Sequence, residues 1–197
     1  MMVTDSPLAP GFAEPVLAAQ QTFRAALMAL AHPGRIVAVD AALEPPPLLD
    51  AATAALGLAL LDHETSLWLD ARLQSAAAYF RFHCGCPIAE KPGSADFAIM
   101  DDLRALPSLT EFRQGSDEYP DQSATLILQV EGLAEGGPLQ LSGPGIAGVT
   151  RLAVRGLSDR FWQEWPANNA AFPRGVDVFF TSGTRLCGLP RTTNVRS

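Results

Sequence analysis

The second half of the chain is cut by glycine- and proline-bearing turns into short apolar runs, which confines it to strands and hairpins rather than long helices. Thr125 to Val130 reads as a strand. Leu139 to Ser142 is expected to be its antiparallel neighbour, joined to it by Glu131 to Pro138 with the Gly136-Gly137 pair in the connection. Val149 to Val154 supplies a further alternating run, Ser158 to Ala171 a Trp-containing helix, and Val176 to Thr181 with Leu186 to Leu189 a hairpin around Ser182-Gly-Thr-Arg185. The first half alternates. Pro15 to Ala31 has Val16, Ala19, Phe23, Leu27 and Leu30 at helical spacing, which predicts that this side faces inward; Pro15 suits the first turn and Pro33-Gly34 the stop. Arg35 to Val39 reads as a short strand. Pro45 to Leu61 reads as a helix apolar nearly all round and so buried on several sides, followed by a strand at Ser66 to Leu69, a helix at Gln74 to His83 and a strand at Phe97 to Met100. Asp101 to Tyr119 mixes acidic and turn residues and is expected to be a mobile surface segment. Helices alternating with strands, then hairpins, give an α/β class with a mixed sheet covered by helices. No repeat and no long linker divides residues 1–197, so a single domain is expected.

Composition bounds the function. With 48% apolar and 18% charged residues the chain can fill a core and is not disordered. The net charge is −7, with 14 basic against 21 acidic residues, so no diffuse positive field steers it to nucleic acid or anionic lipid. Any phosphate it meets has to be bound locally. Lys91 is the sole lysine among those 14 cations; the rest are arginines, suited to planar, bidentate recognition, although a codon bias gives the same excess. Met1 to Gly11 lacks the basic and apolar regions of a secretory leader, and the apolar run Ala51 to Leu61 falls short of the roughly 20 residues a membrane helix needs. A cytoplasmic location is expected, with Cys84, Cys86 and Cys187 as free thiols.

The residues that could carry chemistry are few. Gly143-Pro-Gly145-Ile-Ala-Gly148 matches a dinucleotide fingerprint, yet an alternating β-branched run follows where a helix should start, which argues against that site. Gly143 and Gly145 then serve either a tight turn or a small nest of amides for an anion. Arg191, Thr192 and Thr193 after the last apolar run, and Arg24 on the first helix, could clamp phosphate or phosphonate oxygens; a near-terminal arginine could equally pair with a carboxylate or a neighbouring chain. His83-Cys-Gly-Cys86 has a spacing poorly suited to zinc, so no metal site is expected. Asp62 could fix the turn before the Ser66 strand, leaving His63 and Glu64 in solvent. Phe161, Trp162 and Trp165 serve the core or, in part, a partner surface.

The ordered set Thr125 to Val130, Leu139 to Gly148, Phe172-Pro-Arg-Gly-Val-Asp177 and Leu189-Pro-Arg-Thr-Thr193 resembles the PhnH family, the H subunit of the bacterial carbon-phosphorus lyase system. Upstream the likeness continues in Gln21-Thr-Phe-Arg24, Leu27-Met28, Pro33-Gly34, Asp62 to Leu69 and Arg81-Phe-His83. The resemblance implies a core similar to the pyridoxal phosphate-dependent transferases without the cofactor. Lys91, the only Schiff-base candidate, lies in an expected exposed turn, which agrees with no cofactor. It further implies a homodimer placed among the G, I and J subunits with a nucleotide-binding L subunit. There it supports transfer of an alkylphosphonate to C1' of ATP ribose with release of adenine. No persuasive catalytic set is present, so a structural or accessory role is expected. The alternative is a free-standing homodimeric enzyme binding a nucleotide or phosphonate at its dimer interface.

Overall fold

A computed structural model describes residues 8–40 and 42–196; residues 1–7, part of the stretch in which no leader was read, lie outside the described residues. Four helices and nine strands follow in the order α1 (Pro15–Ala31), β1 (Ile36–Ala38), α2 (Ala51–Leu60), β2 (Leu67–Leu69), α3 (Ala77–Cys84), β3 (Phe97–Met100), β4 (Thr125–Gln129), β5 (Gly132–Ser142), β6 (Thr150–Arg155), α4 (Asp159–Ala170), β7 (Asp177–Ser182), β8 (Arg185–Leu189) and β9 (Asn194–Arg196). The main sheet has six strands in the order β1-β8-β7-β4-β3-β2. β2, β3, β4 and β7 run parallel to one another, and β8 is antiparallel to both β7 and β1. A second sheet, β6-β5-β9, is antiparallel throughout. This is the mixed α/β architecture read from the sequence.

Strand period explains how the core divides. Leu67, Leu69, Ile99, Ile127 and Phe179 point to one face, where α1, α2 and α3 cover them. Their neighbours Ala98, Met100, Leu126, Leu128, Val178 and Phe180 point to the other, under α4 and the second sheet. Both faces are apolar because both are covered, which is why β4 and β7 read as continuous apolar runs. α2 buries Ala52 through Gly57 without a break, as its all-round apolar sequence requires. The Thr53 and Thr181 hydroxyls meet at 2.7 Å in the interior and satisfy each other between α2 and β7.

Three expectations are corrected. α1 buries Thr22, Ala26 and Ala29, whereas Val16, Phe23, Leu27 and Met28 lie 87%, 46%, 51% and 41% exposed. The cause is backbone approach: a Cβ at Gly188 of β8 would lie 2.6 Å from the Ala29 carbonyl oxygen. The helix therefore rests on β8 through its small side chains, and its large ones face outward. β4 and β5 are not partners. β4 lies between β3 and β7, while β5 pairs with β6, and Gly136, Gly137 and Pro138 form a bulge within β5 where both Glu135 and Leu139 face Leu152. Finally, the segment after β3 is anchored, because Leu103, Leu106, Leu109 and Phe112 insert into the second core.

A buried carboxylate joins the carboxyl ends of two strands. Asp70, 4% exposed, accepts the amides of Arg72 and Leu73 on Oδ1, both at 3.0 Å, and those of Asp101 and Asp102 on Oδ2 at 2.7 and 2.8 Å. Asp70→Ala strands four donors and should lower the unfolding free energy by roughly 2–4 kcal/mol. The isosteric Asp70→Asn should lose most of that as well, since its NH2 would face amide donors; urea unfolding of the three proteins checks both.

Candidate functional site

Arg191 sits just beyond β8, at the amino end of β7, and the structure gives its guanidinium a complete set of internal acceptors. Nε lies 3.2 Å from both Asp177 oxygens, and Nη2 reaches Asp177 Oδ2 at 2.5 Å and the Ser123 hydroxyl. Nη1 donates to the carbonyls of Pro120 and Pro173 at 3.1 and 3.0 Å. All five N–H donors of a guanidinium are thereby used, and the side chain is only 11% exposed. Asp177 Oδ1 also accepts the Arg191 amide at 2.7 Å. Of the two readings open for this arginine, carboxylate pairing is the one the geometry displays.

Gly143 lies beside this segment: a Cβ there would lie 2.9 Å from the Thr192 carbonyl oxygen, so the glycine turn and the Arg-Thr-Thr end do converge. The convergence is structural, through pairing of Ser142 with Asn194 between β5 and β9. Thr193 is fully buried; its carbonyl accepts the Trp165 indole N–H at 2.9 Å, and its hydroxyl has no hydrogen-bond partner among the described residues. Gly145 is elsewhere, folded over the end of α1, where a Cβ would come within 2.0 Å of the Ala31 carbonyl oxygen. Its φ of +80° is also one that side-chain-bearing residues seldom adopt. Arg24 lies exposed on α1 and has no hydrogen bond to Arg191 or to the glycine turn.

The carboxyl ends of β3 and β4 border an open cavity of about 560 Å³, the usual location for a ligand crevice in an open α/β sheet. Its polar groups are largely engaged with one another. Gln129, 6% exposed, accepts the Asp50 amide at 2.7 Å and donates to the Leu48 carbonyl and Asp101 Oδ1. Arg72 Nη1 stands 3.0 Å from Asp101 Oδ2 as an ion pair without hydrogen-bond geometry, which leaves that buried oxygen without a hydrogen-bond donor among the described residues, and Asp50 Oδ2 accepts the Gly183 amide. Sequence reading missed this set, because Asp50, Asp101 and Gln129 gather only once the parallel strand order is known.

The comparisons bear on the chain as a whole. A family model described as "Bacterial phosphonate metabolism protein (PhnH)" matches residues 10–196. The chain belongs to the PhnH family. It is 39% identical over 186 residues, 93% of each chain, to the alpha-D-ribose 1-methylphosphonate 5-triphosphate synthase subunit PhnH of Rhizobium meliloti (strain 1021). It is 34% identical over 179 residues, 89% of this chain and 85% of the relative, to the putative C-P lyase subunit protein HtxG of Stutzerimonas stutzeri.

Within this PhnH-family chain the remaining candidates take structural places. Asp62 Oδ1 accepts the Glu64 and Thr65 amides at 2.9 and 3.0 Å, and the Glu64 amide above all, with the Thr65 hydroxyl next, holds its carboxyl below the usual aspartate range. His63, Glu64 and Lys91 are exposed. Burial pushes the Cys84 and Cys187 thiols up to about 12, which favours the protonated thiol over the thiolate. Among the described residues no group of three or more His, Cys, Asp or Glu is placed to hold a metal ion, and no helix is long and apolar enough to cross a membrane. Phe161 and Trp165 are buried, and the half-buried Trp162 packs edge-on against Phe161 and leans on Phe180, so this cluster belongs to the core. The unpartnered Thr193 hydroxyl yields a prediction of unusual sign. Thr193→Val, isosteric and without the orphan group, should leave the protein as stable or raise its stability by about 1 kcal/mol, read as a higher urea midpoint at unchanged slope.

Proposed function

We propose that this protein is a subunit of a carbon-phosphorus lyase assembly of organic phosphonate catabolism, supporting transfer of an alkylphosphonate to C1' of ATP ribose with release of adenine, which with methylphosphonate gives alpha-D-ribose 1-methylphosphonate 5-triphosphate. The observation that carries the reading is the end-to-end match to a synthase subunit, 93% of each chain at 39% identity, so the whole fold corresponds rather than a shared module. In this reading the role is structural or accessory. It is supported by the internal commitment of the groups that could otherwise serve a reaction: Arg191 to Asp177, Asp70 to four amides, Arg72 to Asp101. It is supported too by the apolar strip of Val16, Phe23, Leu27 and Met28 on α1, which a subunit would cover on assembly.

The proposal extends to partners. The chain acts as one domain in the cytoplasm, forms a homodimer, and enters a complex with the G, I and J subunits and a nucleotide-binding L subunit. Its six-stranded sheet then corresponds to a pyridoxal phosphate-dependent transferase core that has dispensed with the cofactor.

Co-expression of the tagged chain with those subunits, followed by sizing and mass analysis, tests this. Stoichiometric recovery of the other subunits is expected, and Leu27→Glu with Met28→Glu on α1 should reduce that recovery severalfold while leaving the circular dichroism of the isolated chain unchanged. Recovery of the chain only with itself, together with turnover of a nucleotide by that form, would instead favour the free-standing enzyme.

A further inference from the structure

We propose that the groove between the end of α1 and the β5–β6 turn is a binding site for the tetrahedral oxyanion of a small organic phosphate or phosphonate. The groove is open to solvent and has a volume of about 610 Å³, room for a small metabolite. Arg35, from the turn after α1, and Arg151, from β6, line it opposite a single carboxylate, Glu135 of β5. In a chain of net charge −7 this local balance is inverted.

Three features together mark the place these two exposed arginines occupy. The first is that neither is spent. Arg72, Arg113, Arg160, Arg174 and Arg191 are ion-paired, whereas among the described residues Arg35 touches only the Met28 sulfur, at 3.9 Å, and Arg151 has no carboxylate partner, a freedom they share with Arg24, Arg81, Arg104, Arg155, Arg185 and Arg196. Backbone donors are the second feature. Of the amides from Gly145 to Gly148 only that of Ile146 is used among the described residues, donating to the Gly143 carbonyl at 3.2 Å; Gly145 and Ala147 line the groove with amides to spare. The third is that the walls are fixed against each other. A Cβ at Gly145 would collide with the Ala31 carbonyl, and one at Gly34 would lie 2.6 Å from the Thr150 methyl, so the two sides are already in contact before any ligand arrives.

The carboxyl end of α1 opposes an anion here, but its partial charge is about half an electron against two full guanidinium charges. Ile146 and Val149, the latter 60% exposed, give the organic part of the ligand an apolar wall. The lining favours a compact dianion over a long acidic chain, since two arginines and two residues with unused amides border one groove. This site is separate from the Arg191 node and does not depend on the subunit reading, because it lies within one chain.

The test is amide NMR and calorimetric titration of the full chain with inorganic phosphate and with methylphosphonate. Shifts are expected at Gly145 and Ala147. Arg35→Gln and Arg151→Gln should each weaken binding by about tenfold or more, the range for a charge-assisted hydrogen bond. Glu135→Gln should tighten it, an effect of opposite sign that loss of folding cannot mimic, and Arg185→Gln on β8 should leave it unchanged. A preference for methylphosphonate assigns the site to phosphonates, and equal or stronger binding of phosphate assigns it to phosphate esters. Shifts scattered over other arginines, no shift at all, or wild-type affinity in the folded Arg35→Gln/Arg151→Gln double variant would overturn the proposal.

Discussion

Five N–H donors on one guanidinium hold together three stretches of this chain that are distant in sequence. Arg191 ties the terminal segment to Asp177 at the start of β7, to Ser123 before β4, and to the carbonyls of Pro120 and Pro173 in two loops. Because β4 and β7 are adjacent parallel strands, their amino ends need a tie that no hairpin can supply. The same logic recurs one strand pair along, where Asp96 accepts the Ser66 amide and hydroxyl at 2.8 and 2.6 Å and pairs with Arg113. At the opposite end of the sheet Asp70 and Gln129 do comparable work through amide donors.

A fold built this way places much of its ionisable chemistry at strand ends and then consumes it there. Removing one partner of such a buried pair costs about 3–5 kcal/mol, far more than the pair adds over an apolar substitute, so these groups act as fixed joints. Among the groups left uncommitted at the surface are the apolar residues Val16, Phe23, Leu27 and Met28 of α1, and the arginines and glycine amides around the end of that helix. Both lie on α1 or next to it.

Much of the architecture was legible in the sequence because it rests on local period. Strand and helix positions followed from alternation and from turn residues such as Pro33-Gly34 and Ser182-Gly183, and the β6 run after Gly148 argued correctly against a phosphate-binding helix. Non-local features were hidden. The inward face of α1 was misassigned because hydrophobicity pointed to Phe23 and Leu27, whereas the close approach of Gly188 selects Ala26 and Ala29. The β4–β5 pairing was misread because a Gly-Gly-Pro stretch signals a loop by composition, and only a partner strand reveals it as a bulge. Arg191 stood out in the sequence as a cation near the end, but its acceptors come from two other segments, Pro120 with Ser123 and Pro173 with Asp177, that no spacing rule connects to it. Arg35 and Arg151 gave no signal at all, each being a lone charge in its own segment.

The account turns on Arg191 being a joint rather than a ligand clamp, and a double-mutant cycle with Asp177 measures that directly. Unfolding free energies of the wild type, Arg191→Ala, Asp177→Ala and the double variant should show that each single change costs about 3–5 kcal/mol. They should also show a coupling energy of about 2 kcal/mol or more between the two sites. Single variants as stable as the wild type, with coupling below about 0.5 kcal/mol, would contradict it and return the guanidinium to the list of groups available for a ligand.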